Sequence, residues 1–438
     1  MAELTSVLGR IEGKSLPTKP DVVVIGGGII GLSIALEIVE MGMSVSILER
    51  SKVGSAQSTR NWGFVRQQGR SIEELPLMIE ANQMWRDLEA RLDYDLEWAE
   101  GGNLRLTDDS ARAENYLNWI DTAKSFGLDS RTASPEEVSR IIPGFTGRYL
   151  MAILTPSDGQ ANPTKVVGAY LRQLLSRGVE IYEDCFVSEI VTEAGRVVGV
   201  RTADTLIATS NVVVAAGVGS ASLLRKLGLA VPVQYVSQTV ALTGAVPPIT
   251  QACVWTGQVG FRQARSGSIV LSTGGHGEIT IDSGTIKNLV SPSYLKQAVP
   301  MYWKNREYLK VRPRESLRSL LRGNQHLKNN HGAVSYTDVV SSLKTMEGYF
   351  PKLNWDILLA WSGVIDATPD ALPIIDANLQ PSGLIIATGM SGHGFGIAPA
   401  IGKAVAELVT NGSSKHDLSA FCLGRFRDGT AKTPHHLL

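Results

Sequence analysis

Residues 21–31 read D-V-V-V-I-G-G-G-I-I-G, and the fold follows from how that stretch is built. Val22, Val23, Val24 and Ile25 form a β-branched run suited to a buried strand. Behind it Gly26, Gly28 and Gly31 fit a G-x-G-x-x-G spacing with Ile30 inside the turn, and L-S-I-A-L-E-I-V-E continues as a helix. Residues without a Cβ let backbone N–H groups come close to a pyrophosphate, and the helix N-terminus adds partial positive charge. A second strand, S-V-S-I-L-E-R, closes on Glu49 and Arg50. Glu49 lies eighteen residues past Gly31, where an acid meets a ribose hydroxyl rather than a 2′-phosphate.

A second glycine loop, G-M-S-G-H-G-F-G over 389–396, lies between the strand G-L-I-I-A-T and the helix A-I-G-K-A-V-A-E-L-V. It contributes Gly392, His393, Gly394, Phe395 and Gly396. A third run, L-I-A-T-S-N-V-V-V-A-A-G, delivers Ala216 and Gly217 at a strand end. A dinucleotide gripped by loops at both ends of 438 residues is a long one. The first loop fits NAD as well as FAD, and the far loop tips the reading to FAD.

Bulk properties narrow the function classes. Basic and acidic residues balance at 42 each, which argues against nucleic acid as a partner. No apolar run reaches the roughly 18–20 residues needed to cross a bilayer, and the first twenty residues carry neither a signal-peptide core nor a twin-arginine pair. Cys185, Cys253 and Cys422 form no C-x-x-C, so a reducing compartment is expected, without a zinc site or a dithiol redox centre. The expected location is the cytoplasm.

Along the chain, helical spacing marks E-E-L-P-L-M-I-E-A-N-Q-M-W-R-D-L-E-A-R-L, and β patterning runs through 179–217, 231–282 and 357–388. The expected class is α/β: a Rossmann-like FAD-binding domain built from both ends of the chain, with a β-rich α+β substrate domain between. The FAD domain is expected over 20–85, 150–225 and 355–425, and the substrate domain over 86–149 and 226–354. Eight Lys/Arg against two Glu between Trp303 and His331 read as a solvated arm or as a docking surface for a membrane or electron acceptor.

These motifs, in this order and spacing, resemble the D-amino-acid-oxidase-like FAD superfamily, the branch with sarcosine oxidase, glycine oxidase and the D-amino-acid dehydrogenases. The resemblance rests on D-V-V-V-I-G-G-G-I-I-G-L-S-I-A-L-E, V-V-V-A-A-G-V-G-S, T-P-D-A-L-P-I-I-D and G-M-S-G-H-G-F-G-I-A-P-A, and spans nearly the whole chain. It implies a glutathione-reductase-type FAD domain beside a mainly antiparallel sheet, and oxidation of a C–N bond by hydride transfer to the flavin, with hydrolysis of the imine. By the same resemblance, Ser58, Thr59, Asn61, Trp62 and Gly63 line the isoalloxazine, and Val187 meets the adenine. Arg66 stands where sarcosine oxidases hold the substrate carboxylate, a task that suits a planar bidentate fork.

Departures from the family set further expectations. Gly363 replaces the cysteine that anchors flavin in sarcosine oxidases and no histidine stands near Asn61, so FAD is expected to be non-covalent. Ile365 and Gly396 replace cationic carboxylate clamps of other members. Arg262 and Arg265 of G-F-R-Q-A-R are the substitutes on offer; strand alternation lets at most one of them face the pocket, and Arg262 is favoured. His276, in T-G-G-H-G-E, resembles the pocket histidine of sarcosine oxidases, while Ser272 replaces the lysine that helps activate oxygen there. The leading reading is an oxidase of a small carboxylated amine, sarcosine-like or a diacid such as iminodiacetate, with O2 as acceptor. A dehydrogenase feeding a quinone or protein, and a flavin-binding protein without catalysis, remain open, as does a homo-oligomer.

Overall fold

The computed structural model describes residues 16, 19–203, 205–273, 277–280, 309–311 and 333–432. His276 and most of the basic 303–331 run lie outside them.

The valine run forms the central strand Val22–Ile25 of a six-stranded sheet. Its order is Ile374–Asp376, Leu384–Thr388, Asn211–Val214, Val22–Ile25, Val45–Leu48 and Glu180–Tyr182. Five strands are parallel, and Ile374–Asp376 runs antiparallel to Leu384–Thr388 at one edge. Both faces are covered, which is why every position of Val22–Ile25 and Val45–Leu48 is buried without alternation, Ser46 being the one polar residue. The helix Ile29–Glu40 packs against the last long helix, Gly394–Asn411. A Cβ on Gly402 would lie 2.9 Å from the Ser33 carbonyl, so a glycine is needed for the two helices to approach that closely. Chain order reverses direction at Val22–Ile25, with Val45–Leu48 on one side and Asn211–Val214 on the other. The crevice beyond the carboxyl ends of strands at such a switch point is where ligands bind in open α/β sheets.

Among the described residues the second large sheet has ten strands, with Leu309–Val311 at one edge beside Gly277–Thr280, and is mostly antiparallel. Its spine is the long strand Gln234–Ala245, paired on one edge with Ile357–Ala367 and on the other with Ser268–Thr273 and Gly277–Thr280. It continues through Val259–Gln263, Cys253–Trp255, Asn103–Thr107, Met151–Thr155 and Arg131–Thr132. Met151–Thr155 was placed with the nucleotide domain, and so was Ile357–Ala367, yet each hydrogen-bonds into the large sheet. Apolar strand patterning alone does not say which sheet a strand joins; the pairing partner decides it. One hydrophobic core fills the side of the six-stranded sheet that carries the two long helices, and another lies under the large sheet around Phe261, Phe350 and Trp355.

Candidate active site

A single elongated cavity runs from the carboxyl ends of the six-stranded sheet to the face of the large sheet. At its first end it is lined by Gly26, Gly28, Ile30, Glu49, Arg50, Val187, Ala216 and Gly217. Gly26 has φ +114°, and a Cβ there would sit 2.4 Å from the Ala215 carbonyl oxygen, so only glycine fits. Leu32 N–H is the first amide of the helix to bond back, to the Gly28 carbonyl, which leaves the first-turn amides of Ile30 and Gly31 without an intrahelical acceptor. Ile29 N–H donates to Ser58 Oγ at 2.8 Å and fixes the 55–63 segment over the turn. Gly31 itself packs on Gly26 and does not line the cavity; its Cβ would fall 2.0 Å from the Gly26 carbonyl oxygen. Glu49 accepts the Gly27 and Ser51 amides, 2.8 Å each, while burial pushes its carboxyl above the ordinary range.

The middle of the cavity is walled by Ser58, Asn61, Trp62, Gly363, Gly392, His393, Gly394 and Phe395. The far glycine loop enters the helix Gly394–Asn411 at His393. His393 Nδ1 lies 2.9 Å from a carboxylate oxygen of the buried Glu74. Burial and the nearby Arg70 push the imidazole below its ordinary range. Burial opposes the charge on Glu74, but His393 and Arg70 overcome it and keep that carboxyl ionised. Thr59 turns away to donate to the Gly54 carbonyl, and Gly396 offers its carbonyl to Trp85 Nε1 at 2.7 Å. Neither residue lines the cavity.

At the far end lies Arg66. Its Nη1 donates to the Gln68 carbonyl at 2.5 Å, and burial, followed by the charges of Arg70 and Arg105, pushes the guanidinium well below its ordinary range. Trp62 stacks on Trp255 at 5.3 Å and meets Phe64 edge-on at 5.4 Å. Gly63 has φ +81°, and a Cβ there would lie 2.3 Å from the Ala161 carbonyl oxygen and 2.8 Å from Arg262 Nε.

Arg262 does not reach the cavity. Its Nε donates to the Trp62 carbonyl and its Nη1 to Gln160 Oε1 at 3.2 Å, so the fork is spent beneath the Asn61–Gly63 turn. The expectation that it grips substrate is corrected: it positions the Trp62 backbone. Arg265 is exposed and pairs with Asp95 at 2.8 Å. Ser272 is buried and donates to the Thr239 carbonyl at 2.6 Å.

With this geometry in place, likeness to known proteins becomes informative. A family model described as DAO: FAD dependent oxidoreductase matches residues 21–408. The chain belongs to the DAO family. This DAO-family chain is similar to sarcosine oxidase subunit beta of an Arthrobacter species, at 24% identity over 423 residues, 93% of this chain and 91% of that one. It is also similar to glycine oxidase of Geobacillus kaustophilus, at 24% identity over 417 residues, 92% and 97% of the two chains. Among solved structures, L-amino acid deaminase from Proteus myxofaciens matches with a TM-score of 0.86 at 25% identity, covering 94% of this chain and 95% of that one. The chain is an FAD-dependent oxidoreductase. The residues present fit FAD, since the Gly26 turn leaves no room for a side chain and the cavity is continuous from Glu49 to His393. No helix among the described residues is long and apolar enough to cross a membrane.

The DAO-family cavity also contains residues that sequence reasoning missed. Arg70, Asn103, Arg105 and Trp255 all line it. Arg70 Nε lies 3.9 Å from Glu74, one helical turn apart in sequence. Asp158, buried just behind, accepts the Gln67 and Gln68 amides at 2.7 and 3.1 Å, and burial lifts its carboxyl to about 6. A signal did exist. Asn103, Arg105 and Thr107 alternate with Leu104 and Leu106, so one strand face is polar although the whole strand is buried or nearly so.

Proposed function

We propose that the enzyme oxidises a small carboxylated amine, with a secondary amine favoured, at the Arg66 end of the cavity. The observation that carries this reading is the half-buried Arg66 on the same cavity as the far glycine loop, with its guanidinium desolvated. A desolvated guanidinium with its remaining N–H groups free to fork onto a carboxylate anchors an acid and fixes its orientation. Bound FAD would supply the two-electron acceptor for the C–H bond beside nitrogen. The chain's residues do the rest. The cluster of Arg66, Arg70 and Arg105 opposes a protonated amine, so the substrate is held in the neutral form that can lose hydride. With Nδ1–H donated to ionised Glu74, His393 presents Nε2 as a hydrogen-bond acceptor, while burial and Arg70 keep its imidazole neutral. Trp62, Trp255 and Phe64 form an apolar wall that excludes water from the imine until release.

In this reading Gly26, Gly28, Ile30, Glu49, Arg50, Val187, Ala216 and Gly217 hold the adenosine and pyrophosphate, and Ser58, Asn61, Trp62, Gly363 and 392–395 hold the flavin. FAD is non-covalent, because Gly363 and Asn61 offer no attachment atom. Acid precipitation should therefore leave the yellow colour in the supernatant, and a yellow pellet would refute it.

Two acceptors are in play. O2 makes the protein an oxidase releasing H2O2; a quinone or protein makes it a dehydrogenase. Ser272, a buried neutral side chain where the resemblance expects an oxygen-activating cation, favours the second. Admitting air to enzyme bleached by substrate under argon tests this. Colour returning within the turnover time supports the oxidase, and colour returning only with a quinone or dye supports the dehydrogenase.

A further inference from the structure

Three polar groups at the Arg66 end have no partner among the described residues. Asn103 is fully buried, lines the cavity, and has neither its Nδ2 nor its Oδ1 hydrogen-bonded. Arg105, two residues along on the same strand face, has a buried Nε without a partner. Its guanidinium sits 6.0 Å from the centroid of Trp255, the residue directly opposite it across the parallel strand pair. Arg70 Nη1 is likewise buried and unpartnered. Buried polar groups left unmade cost more than an ordinary hydrogen bond returns, so such a set is maintained where a ligand completes it.

The local carboxylates do not complete it. Glu74 is taken by His393 and Arg70, and Asp158 by the amides of Gln67 and Gln68. A substrate with one carboxylate on Arg66 would leave Arg105 and Asn103 facing an apolar wall. Arg66 and Arg105 also repel one another in a desolvated space, and an anion on each removes that repulsion.

We propose that Arg105 and Asn103 form a second carboxylate site, so that the substrate class is a dicarboxylated amine with one acid on Arg66 and the other on Arg105. Asn103 Nδ2 donates alongside the guanidinium, and Trp255 sets the plane in which Arg105 presents its fork. This deepens the carboxylated-amine reading and rests on it. The position held by Arg105 is a specificity site, distinct from the Arg262 site beneath Trp62.

The test uses the FAD-loaded full chain and two kinds of probe. Glutarate and butyrate differ only in the second carboxylate and cannot reduce the flavin, so perturbation of its absorbance reads binding alone. Iminodiacetate and N-methylglycine differ in the same way and read reduction under argon. Glutarate should bind about thirtyfold or more tighter than butyrate, with the same order of preference for iminodiacetate in the rate of reduction per unit concentration. Arg105→Gln should bring both ratios near one, and Arg105→Lys should restore part of them. Asn103→Asp, which keeps the side-chain size and places a negative charge at the site, should turn the glutarate preference into discrimination against it. If wild type shows no preference for either diacid, the second site is wrong while reduction by N-methylglycine would keep the carboxylated-amine reading. If glutarate is preferred but no amine reduces the flavin, the site stands and the amine reading fails. Equal losses for mono- and diacids in Arg105→Gln would assign Arg105 a structural role and overturn the proposal.

Discussion

At the Gly26 end of the cavity the chain presents backbone, whereas at the Arg66 end it presents buried side-chain charge. The first end is shaped by what is absent, the Cβ atoms of Gly26 and Gly31. The second holds three guanidiniums and two carboxylates with little water to screen them. Backbone geometry changes little among proteins sharing a fold, so the nucleotide end serves a whole family. Charges in a desolvated pocket change recognition one residue at a time, so on the proposed reading the other end decides the substrate.

The contrast can be broken most sharply at Arg66. Arg66→Ala should cut kcat/KM for flavin reduction by roughly two to three orders of magnitude, because one partner of a buried charge pair is lost. FAD content of the purified protein should be unchanged. Parallel loss of FAD would mean that the two ends are not separable.

Asp158 tests how costly the charged end is. Burial lifts its carboxyl to about 6 from 3.8. The folded chain therefore keeps a proton there that the unfolded chain releases, and the stability gained below about pH 4 is lost as pH rises through 6. Relative to Asp158→Asn, wild type should lose up to about 3 kcal/mol of unfolding free energy between pH 4 and pH 7. Denaturant titrations of both proteins at the two pH values measure it. A difference independent of pH would place Asp158 in the ordinary carboxylate range.

The smallest effect belongs to the backbone end. On the proposed reading Glu49 makes a charge-assisted contact to a ribose hydroxyl, so Glu49→Gln should weaken FAD binding by about 1–2 kcal/mol. Reconstitution of the apoprotein with FAD gives the number. A loss much larger than this would mean that the Gly27 and Ser51 amides depend on the carboxylate to hold the turn.

The same contrast explains what was legible in the sequence. Gly26, Gly28, Glu49 and the 389–396 loop are recognisable because backbone approach demands particular residues at fixed local spacing. Arg66 was reached through resemblance. Arg105 and Asn103 were not, since a polar face on a buried strand acquires meaning only once the strand is known to border the cavity. Arg262 misled for the related reason that alternation gives a face and not its neighbour: the face was inward, but the Trp62 carbonyl was there first.

The central claim is that a carboxylated amine reduces flavin held at the Arg66 end. It is tested most directly by adding N-methylglycine, iminodiacetate and dimethylamine, under argon, to the yellow holoenzyme and following its bleaching. At least one of the two acids should bleach the flavin, and dimethylamine, which lacks a carboxylate, should do so at least about a hundredfold more slowly at equal concentration. Equal bleaching by dimethylamine, or none by either acid, would contradict the account.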